Sequence, residues 1–238
     1  MKGMIFAAGL GTRLQPLTSH LPKALVNLGD KTLLERQIDF LISQGLDEIV
    51  VNIHHFPELM KTHIQRFASK NVRLIISDES DLLLDTGGGL KKAAHLLESA
   101  EPVVLINVDI ICNFQLKPMI EAHRALGADC TLAVTQRKSS RNLLMNDQLR
   151  LCGWENRNSE EQIIFSPETS QSYAFSGIHL INPSLFRLLP DKEVFSIIDF
   201  YLKIGSTARI YGYLHPEDGW FDLGDTEKLA RAEKYYGW

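Results

Sequence analysis

Met4-Ile5-Phe6-Ala7-Ala8-Gly9-Leu10-Gly11-Thr12-Arg13-Leu14-Gln15-Pro16-Leu17-Thr18, with Pro22-Lys23-Ala24-Leu25 close behind, is the most telling part of this chain. The apolar opening, Met4 to Ala8, reads as a buried strand. Two glycines then uncover backbone N–H groups, and Arg13 and Lys23 follow within fourteen residues of Gly9. Unhindered donors followed by mobile cations suit a polyphosphate, whose oxygens need hydrogen bonds and whose charge needs neutralising. The same residues also fit a tight strand-to-helix turn with both cations on a solvated edge. The loop is not a dinucleotide fingerprint, because Leu14 stands where the third glycine belongs. Nor is it a Walker A loop, since no Gly-Lys-Ser/Thr follows. Pro16 and Pro22 stiffen the cation-bearing segment, which lowers the entropy cost of ordering it around a ligand.

Outward from this loop, short apolar runs alternate with helical patterns. Strands are expected at residues 3–8, 48–53, 72–77 and 102–108, with helices between them at 32–44, 57–69 and 88–99. Such alternation predicts βαβ units and a mostly parallel sheet. In the first helix Leu33, Leu34, Ile38, Leu41 and Ile42 share a face, and Gly45 supplies a left-handed stop. The second half is less regular. Residues 113–126 read as a helix, 130–136 as a strand, 149–154 with 162–165 as a β-meander around a polar loop at 156–161, and 173–181 as a further strand. Helices follow at 195–205 and 226–236, the last capped by Asp225. No linker, repeat or low-complexity segment interrupts the chain, so one domain over 1–238 is expected.

Composition narrows the function class. The chain has 238 residues and a net charge of -4, which argues against a nucleic-acid partner held by a broad basic surface. Cys112, Cys130 and Cys152 are odd in number and lack CxxC spacing, as reduced thiols would be. The N-terminus shows no signal-peptide core, leaving no room for a targeting segment, and no stretch reads as membrane-spanning. A cytoplasmic location is expected.

Further segments carry chemistry. Asn107-Val108-Asp109 follows the apolar run Pro102-Val103-Val104-Leu105-Ile106, which places a carboxylate where open α/β sheets hold ligands. Asp109 alone would also serve as a helix cap. A second isolated carboxylate appears in Trp220-Phe221-Asp222-Leu223-Gly224-Asp225, and two carboxylates plus phosphate oxygens and water suit Mg²⁺. Leu84-Asp85-Thr86-Gly87-Gly88-Gly89 could be a flexible loop or a set of helix-terminal amides for phosphate. Phe175-Ser176-Gly177-Ile178 embeds a glycine in a strand, through a bulge or a close ligand approach. His54 and His55 are adjacent on a strand and point to opposite faces, which argues against a shared metal. Tyr235, Tyr236 and Trp238 are expected to dock the last helix.

Together and in this order, the motifs resemble the signature of the sugar-1-phosphate nucleotidyltransferases, which join a nucleoside triphosphate to a sugar 1-phosphate and release pyrophosphate. The resemblance covers nearly the whole chain. It implies the nucleotide-diphospho-sugar transferase fold, an α/β, Rossmann-like, mixed and mostly parallel sheet flanked by helices, with a small β-rich sugar-binding portion. Nucleotide binding would then occupy residues 1–110 or so, and sugar-phosphate binding about 111–238. By resemblance, Ala7, Ala8, Gly9, Gly11, Thr12 and Arg13 contact the nucleotide, with Thr86, Gly87, Gly88 and Asn107. Arg13 meets the leaving pyrophosphate and Lys23 the reacting phosphate, the two catalytic cations. Asp109 and Asp222 are the implied metal pair, for Mg²⁺. Gly177, Glu155 and Arg157 are assigned to the sugar side. Three positions depart from the family: Val108 replaces a frequent glycine, Asp225 a frequent threonine, and no lysine follows Glu155. Arg157 is the expected substitute for that lysine unless the sugar phosphate is held otherwise.

The triple-glycine form resembles bacterial N-acetylmuramate-1-phosphate uridylyltransferases and nearby guanylyl- and cytidylyltransferases. Expected partners are therefore UTP and an N-acetylmuramate-like or other hexose 1-phosphate, in nucleotide-sugar supply of the kind that feeds a cell wall. GTP with mannose 1-phosphate, and heptose 1-phosphate or phosphocholine with a nucleoside triphosphate, are the alternatives. The chain ends soon after the second carboxylate motif, so a monofunctional enzyme is expected; its oligomeric state is open. A catalytically silent nucleotide-sugar sensor or regulatory subunit is the reading from another class. Joint retention of Arg13, Lys23, Asp109 and Asp222 argues against it.

Overall fold

Apolar runs bounded by turn residues form the strands of a single ten-stranded sheet in the computed structural model, which describes residues 1–67, 72–166 and 170–238. In chain order the strands are β1 (Lys2–Phe6), β2 (Glu48–Ile53), β3 (Arg73–Asp78), β4 (Val103–Asn107) and β5 (Cys130–Thr135), then β6 (Arg141–Met145), β7 (Leu151–Asn156), β8 (Glu161–Ile164), β9 (Gln171–Ile181) and β10 (Ile210–Leu214). The helices are α1 (Leu33–Ser43), α2 (Pro57–Gln65), α3 (Asp85–Ala93), α4 (Leu116–Ala125), α5 (Ile197–Ile204) and α6 (Thr226–Tyr236). The end of the expected helix at 57–69 lies partly outside the described residues.

Strands β3, β2, β1 and β4 pair in parallel, in that order, each crossover carrying a helix. The long strand β9 runs antiparallel to β4 and to β5, and β10 lies parallel to β5. Near its start β9 also pairs with β6, which opens the meander β6-β7-β8. The result is the expected mixed, mostly parallel central sheet with a β-rich extension. β6 and β10 lie where the apolar pattern of the sequence predicts no strand.

Period-2 alternation along the central strands feeds two cores. Ile5, Ile49, Val51 and Val104 pack toward α1, α2, α4 and α6. Met4, Val50, Val103 and Leu105 pack toward α3 and α5 on the other face. Helix boundaries follow their caps. Thr32 Oγ1 accepts from Glu35 N at 3.1 Å while Glu35 Oε2 accepts from Thr32 N at 2.6 Å, a reciprocal capping box at the start of α1. Asp225 accepts from Lys228 N at 2.9 Å and opens α6, as expected. The aromatic tail docks this helix: Trp238 stacks on Tyr236 with centroids 4.3 Å apart, and on the Arg36 guanidinium at 3.4 Å.

One buried histidine ties stability to pH. His179 lies among Phe6, Phe175 and Tyr201, and burial pushes its pKa down to about 3. Below the ordinary histidine value the unfolded chain gains a proton that the folded site refuses. This contribution is therefore intact above pH 6.5 and is lost progressively as pH falls toward 3, by at most about 1.4 kcal/mol per pH unit. The urea midpoint should fall between pH 7.5 and 5.0, and His179→Phe should flatten that dependence even if it lowers stability at both values. An unchanged slope in the variant would contradict this assignment.

Candidate active site

The C-terminal ends of β1, β2 and β4 lie side by side, Phe6 being paired with both Asn52 and Asn107. Past Phe6 the backbone enters the glycine loop. Ala7 N–H donates to Asn52 Oδ1 at 2.7 Å, and Asn52 Nδ2 donates to Glu79 Oε1 at 2.8 Å. Glu79 is fully buried, burial raises its pKa, and its second oxygen, Oε2, has no hydrogen-bond partner among the described residues. This relay fixes the first turn of the loop from beneath. It was not anticipated; the available signal was a polar residue ending the apolar strand Glu48-Ile49-Val50-Val51-Asn52-Ile53.

The relay explains one of the three consecutive glycines. A Cβ at Gly89 would lie 2.8 Å from Glu79 Oε1 and 2.9 Å from Asn52 Nδ2. Gly89→Ala should therefore destabilise the fold by about 1–3 kcal/mol, the usual scale of core overpacking, and loosen the loop. Thermal denaturation checks the first effect and faster hydrogen exchange at the Ala7 amide the second. Gly87 and Gly88 also serve packing, since added Cβ atoms would lie 2.3 Å from the Phe195 ring and 2.0 Å from Glu193 O. Their amides donate to Phe195 O at 2.9 and 3.2 Å, so the structure does not present them as free anion donors. Thr86 accepts from Ile197 N at 3.0 Å, and with Asp85 it does reach the cleft.

That first cleft encloses about 450 Å³ between the glycine loop and the start of α3. Ala8, Gly9, Asn52, Thr86, Asn107 and Val108 line it together with Lys23 and Asp109. Gly9 is exposed, and a Cβ there would meet nothing within 4 Å, leaving its backbone open to a ligand. Gly11 adopts φ 65°, and a side chain on it would press to 2.8 Å from Lys23 Cβ. The glycine thus lets the loop lie on Lys23. Thr18 Oγ1 donates to Gly11 O at 2.9 Å and closes the turn. Thr12 and Arg13 are exposed, and Arg13 lies over Gly224, where a Cβ would come within 2.8 Å of its guanidinium.

Asp109 does not cap a helix, because α4 begins only at Leu116 with Gln115 as its cap. Instead, Phe221–Asp222 pairs antiparallel with Ile110–Ile111, and Leu223 N–H donates to Asp109 O at 2.8 Å. This short ladder sets both carboxylates on a second cleft of about 210 Å³, which also presents Arg13, Arg137, Gly177 and Trp220. Lys23 is nearly buried and forms an ion pair with Asp109; Lys228 Nζ lies 3.5 Å from Asp222 Oδ2. The two clefts meet at Asn107 and Asp109. The donor set fits a hard divalent cation: two carboxylates face a cleft, and no cluster of three His, Cys, Asp or Glu side chains occurs among the described residues. Most ligand positions would thus fall to water and substrate oxygens.

Gly177 adopts φ 74° at a register shift in β9, and a Cβ there would lie 2.7 Å from Ile110 Cγ1 and 3.0 Å from Asn107 Nδ2. The bulge and the cleft-lining role coincide at this residue. Glu155 and Arg157 stand apart from both clefts. Glu155 Oε1 accepts from Arg157 Nε at 2.9 Å, Ser172 Oγ at 2.9 Å and Asn142 Nδ2 at 3.1 Å, while Arg157 is exposed. A hollow of about 530 Å³ beside them, lined by Asn142, Trp154, Phe175 and Ile198, shares Phe175 with the second cleft. No helix among the described residues is long and apolar enough to cross a membrane.

A model of the nucleotidyl transferase family matches residues 2–237. The N-acetylmuramate alpha-1-phosphate uridylyltransferase of Caulobacter vibrioides is 30% identical over 239 residues, covering 97% of this chain and 94% of that protein. Mannose-1-phosphate guanylyltransferase 1 of Arabidopsis thaliana is 30% identical over 242 residues, covering 99% of this chain but 64% of the plant protein. Among solved structures, HddC from Yersinia pseudotuberculosis complexed with GMP-PN superposes with a TM-score of 0.79 at 20% identity, over 99% of each chain. A UDP-glucose pyrophosphorylase complexed with UDP-glucose gives 0.76 at 18% identity, over 99% of this chain and 98% of the other. These likenesses place the chain in the nucleotide-diphospho-sugar transferase fold.

Proposed function

The chain belongs to the nucleotidyl transferase family and is a sugar-1-phosphate nucleotidyltransferase; on that premise we propose that it transfers UMP from UTP to an N-acetylmuramate-like hexose 1-phosphate. The observation that carries the reading is the meeting of two clefts at Asn107 and Asp109, with Lys23 and Arg13 beside the junction. The nucleotide occupies the cleft under the glycine loop, formed mainly by residues up to about 110, and the acceptor enters from the β-rich side. UTP is preferred because the relative matched along 94% of its length is a uridylyltransferase.

An oxygen of the acceptor phosphate attacks the α-phosphorus; the new P–O bond forms as the bond to the β-phosphate oxygen breaks, and pyrophosphate leaves. The attacking oxygen is already ionised near neutral pH, so no general base is needed. Catalysis is then positioning and charge neutralisation. Lys23, paired with Asp109, faces the reacting phosphate, and Arg13 faces the departing pyrophosphate. Asp109 and Asp222 would hold Mg²⁺, which would neutralise phosphate charge there. The free thiols of Cys112, Cys130 and Cys152 fit a reducing, cytoplasmic setting.

The test is pyrophosphate release across ATP, CTP, GTP and UTP with N-acetylmuramate, mannose, glucose and heptose 1-phosphates and phosphocholine. UTP with N-acetylmuramate 1-phosphate is expected to turn over fastest. Faster release from GTP with mannose or heptose 1-phosphate would replace the uridylyl assignment with a guanylyl one. Binding of a nucleotide sugar with no turnover of any pair would identify a silent sensor.

A further inference from the structure

The second cleft contains a cation that the motifs did not single out. Arg137 follows β5, and its Nη2 donates to Phe175 O at 3.0 Å. Its guanidinium carbon lies 4.5 Å from the centre of the Trp220 ring. Among the described residues, Nε is buried without a hydrogen-bond partner and no carboxylate lies within the 4.0 Å of an ion pair. The shelf beneath it is fixed. Trp220 Nε1–H donates to Ser176 O at 3.0 Å, and the Ser176 hydroxyl lies 2.7 Å from His215 Nε2. His215 Nδ1 lies 2.7 Å from Pro216 O, which can only accept; Nδ1 therefore carries the proton and Ser176 donates to Nε2.

A half-buried guanidinium remains charged, and Asp222 and Glu217 act on it only from beyond ion-pair distance, so the cost of its withdrawal from water is not offset by a contact ion pair. An anion arriving in the cleft relieves that cost. Arg137 lines the cleft that holds Asp222 and Gly177, and not the nucleotide cleft under the glycine loop. Arg157, the substitute expected for the missing family lysine, is turned outward onto Glu155. We propose that Arg137 binds the 1-phosphate of the acceptor sugar, its planar fork presented from the Trp220 shelf, and so orients the attacking oxygen. The inference rests on the proposed transferase function and names the residue that holds its acceptor.

The test uses Arg137→Met and Arg137→Lys with the donor and acceptor that turn over fastest. Losing a charge-assisted hydrogen bond should raise the acceptor KM about 10- to 100-fold in Arg137→Met, while the KM for the triphosphate stays within about twofold. Arg137→Lys keeps the charge without the fork and should fall between, which serves if the Met variant does not fold. The Tm of Arg137→Met should stay within about 4 °C of that of the parent, since removing a half-buried charge with no contact ion pair offsets the lost contacts to Phe175 O and Trp220. An unchanged acceptor KM would overturn the proposal. So would a rise confined to the KM for the triphosphate, or for pyrophosphate in the reverse direction, or an equal rise in the acceptor KM from Arg157→Ala. If the parent protein turns over no pair, the transferase reading fails on its own. Calorimetric titration with glucose 1-phosphate then decides the role of Arg137, and equal binding by parent and Arg137→Met overturns it.

Discussion

Asp109→Asn and Asp222→Asn should each lower kcat by about a thousandfold or more, and Asp222→Asn should do so while moving Tm by no more than about 4 °C; Asp109→Asn also strips nearly buried Lys23 of its counter-ion and should cost more stability. The catalytic loss follows from removing half of a two-carboxylate set whose charge stabilisation is worth several kcal/mol. The small stability effect at Asp222 follows from how that residue is held. The ladder between Ile110–Ile111 and Phe221–Asp222 uses backbone groups, as does the bond from Leu223 N–H to Asp109 O, so an isosteric amide leaves it intact. Asp222 meets Lys228 only at 3.5 Å and is about one-third exposed, and such ion pairs contribute roughly 1 kcal/mol or less. In a chain of 238 residues that amounts to about 2–4 °C. Loss of Tm and activity in step in Asp222→Asn would instead mean that this carboxylate is structural.

Lys23→Met should reduce kcat by about 10²- to 10³-fold, the usual effect of deleting one preorganised group aimed at developing charge. Lys23 is 8% exposed, and its only ion pair among the described residues is with Asp109. Pro22 and the short turn Lys23–Leu25 set its backbone, and Gly11 leaves room for its stem. The side chain is thus held by the fold itself, so little ordering remains to be done at the moment of reaction. Methionine keeps most of the stem's volume, which separates charge from packing. Steady-state kinetics should show the loss in kcat, with a smaller change in the KM for the triphosphate. A variant with parental kcat would remove Lys23 from the chemistry.

The parallel half of the fold was legible because buried parallel strands are continuous apolar runs, as in Val103-Val104-Leu105-Ile106. The antiparallel half was harder. β6 begins Arg141-Asn142, with no turn signal that separates it from the polar segment before it. β10 carries Gly212 in its middle, a residue needed because a Cβ there would lie 2.5 Å from Met145 Sδ. Packing against a distant side chain leaves no local pattern. The site divides in the same way. Gly11, Arg13, Lys23, Asp109 and Asp222 belong to motifs whose spacing is visible, and the fold brings them to one junction. Arg137 lies in Gln136-Arg137-Lys138-Ser139-Ser140, where a charged residue looks like any solvated one until Trp220 and Phe175 close around it. Gly87 and Gly88 err in the opposite direction: glycines at a helix start suggest anion donors, but both amides bond to Phe195 O.

The central claim is direct displacement at the α-phosphorus by a sugar phosphate, and fate of label tests it most directly. The protein would be incubated with Mg²⁺, a hexose 1-phosphate and a triphosphate carrying ³²P at the α position, and the products separated. The label should appear in a nucleoside diphosphate sugar, with one unlabelled pyrophosphate released per sugar nucleotide formed. Label recovered as free nucleoside monophosphate, or left in the triphosphate while a nucleotide sugar still binds, would contradict the account.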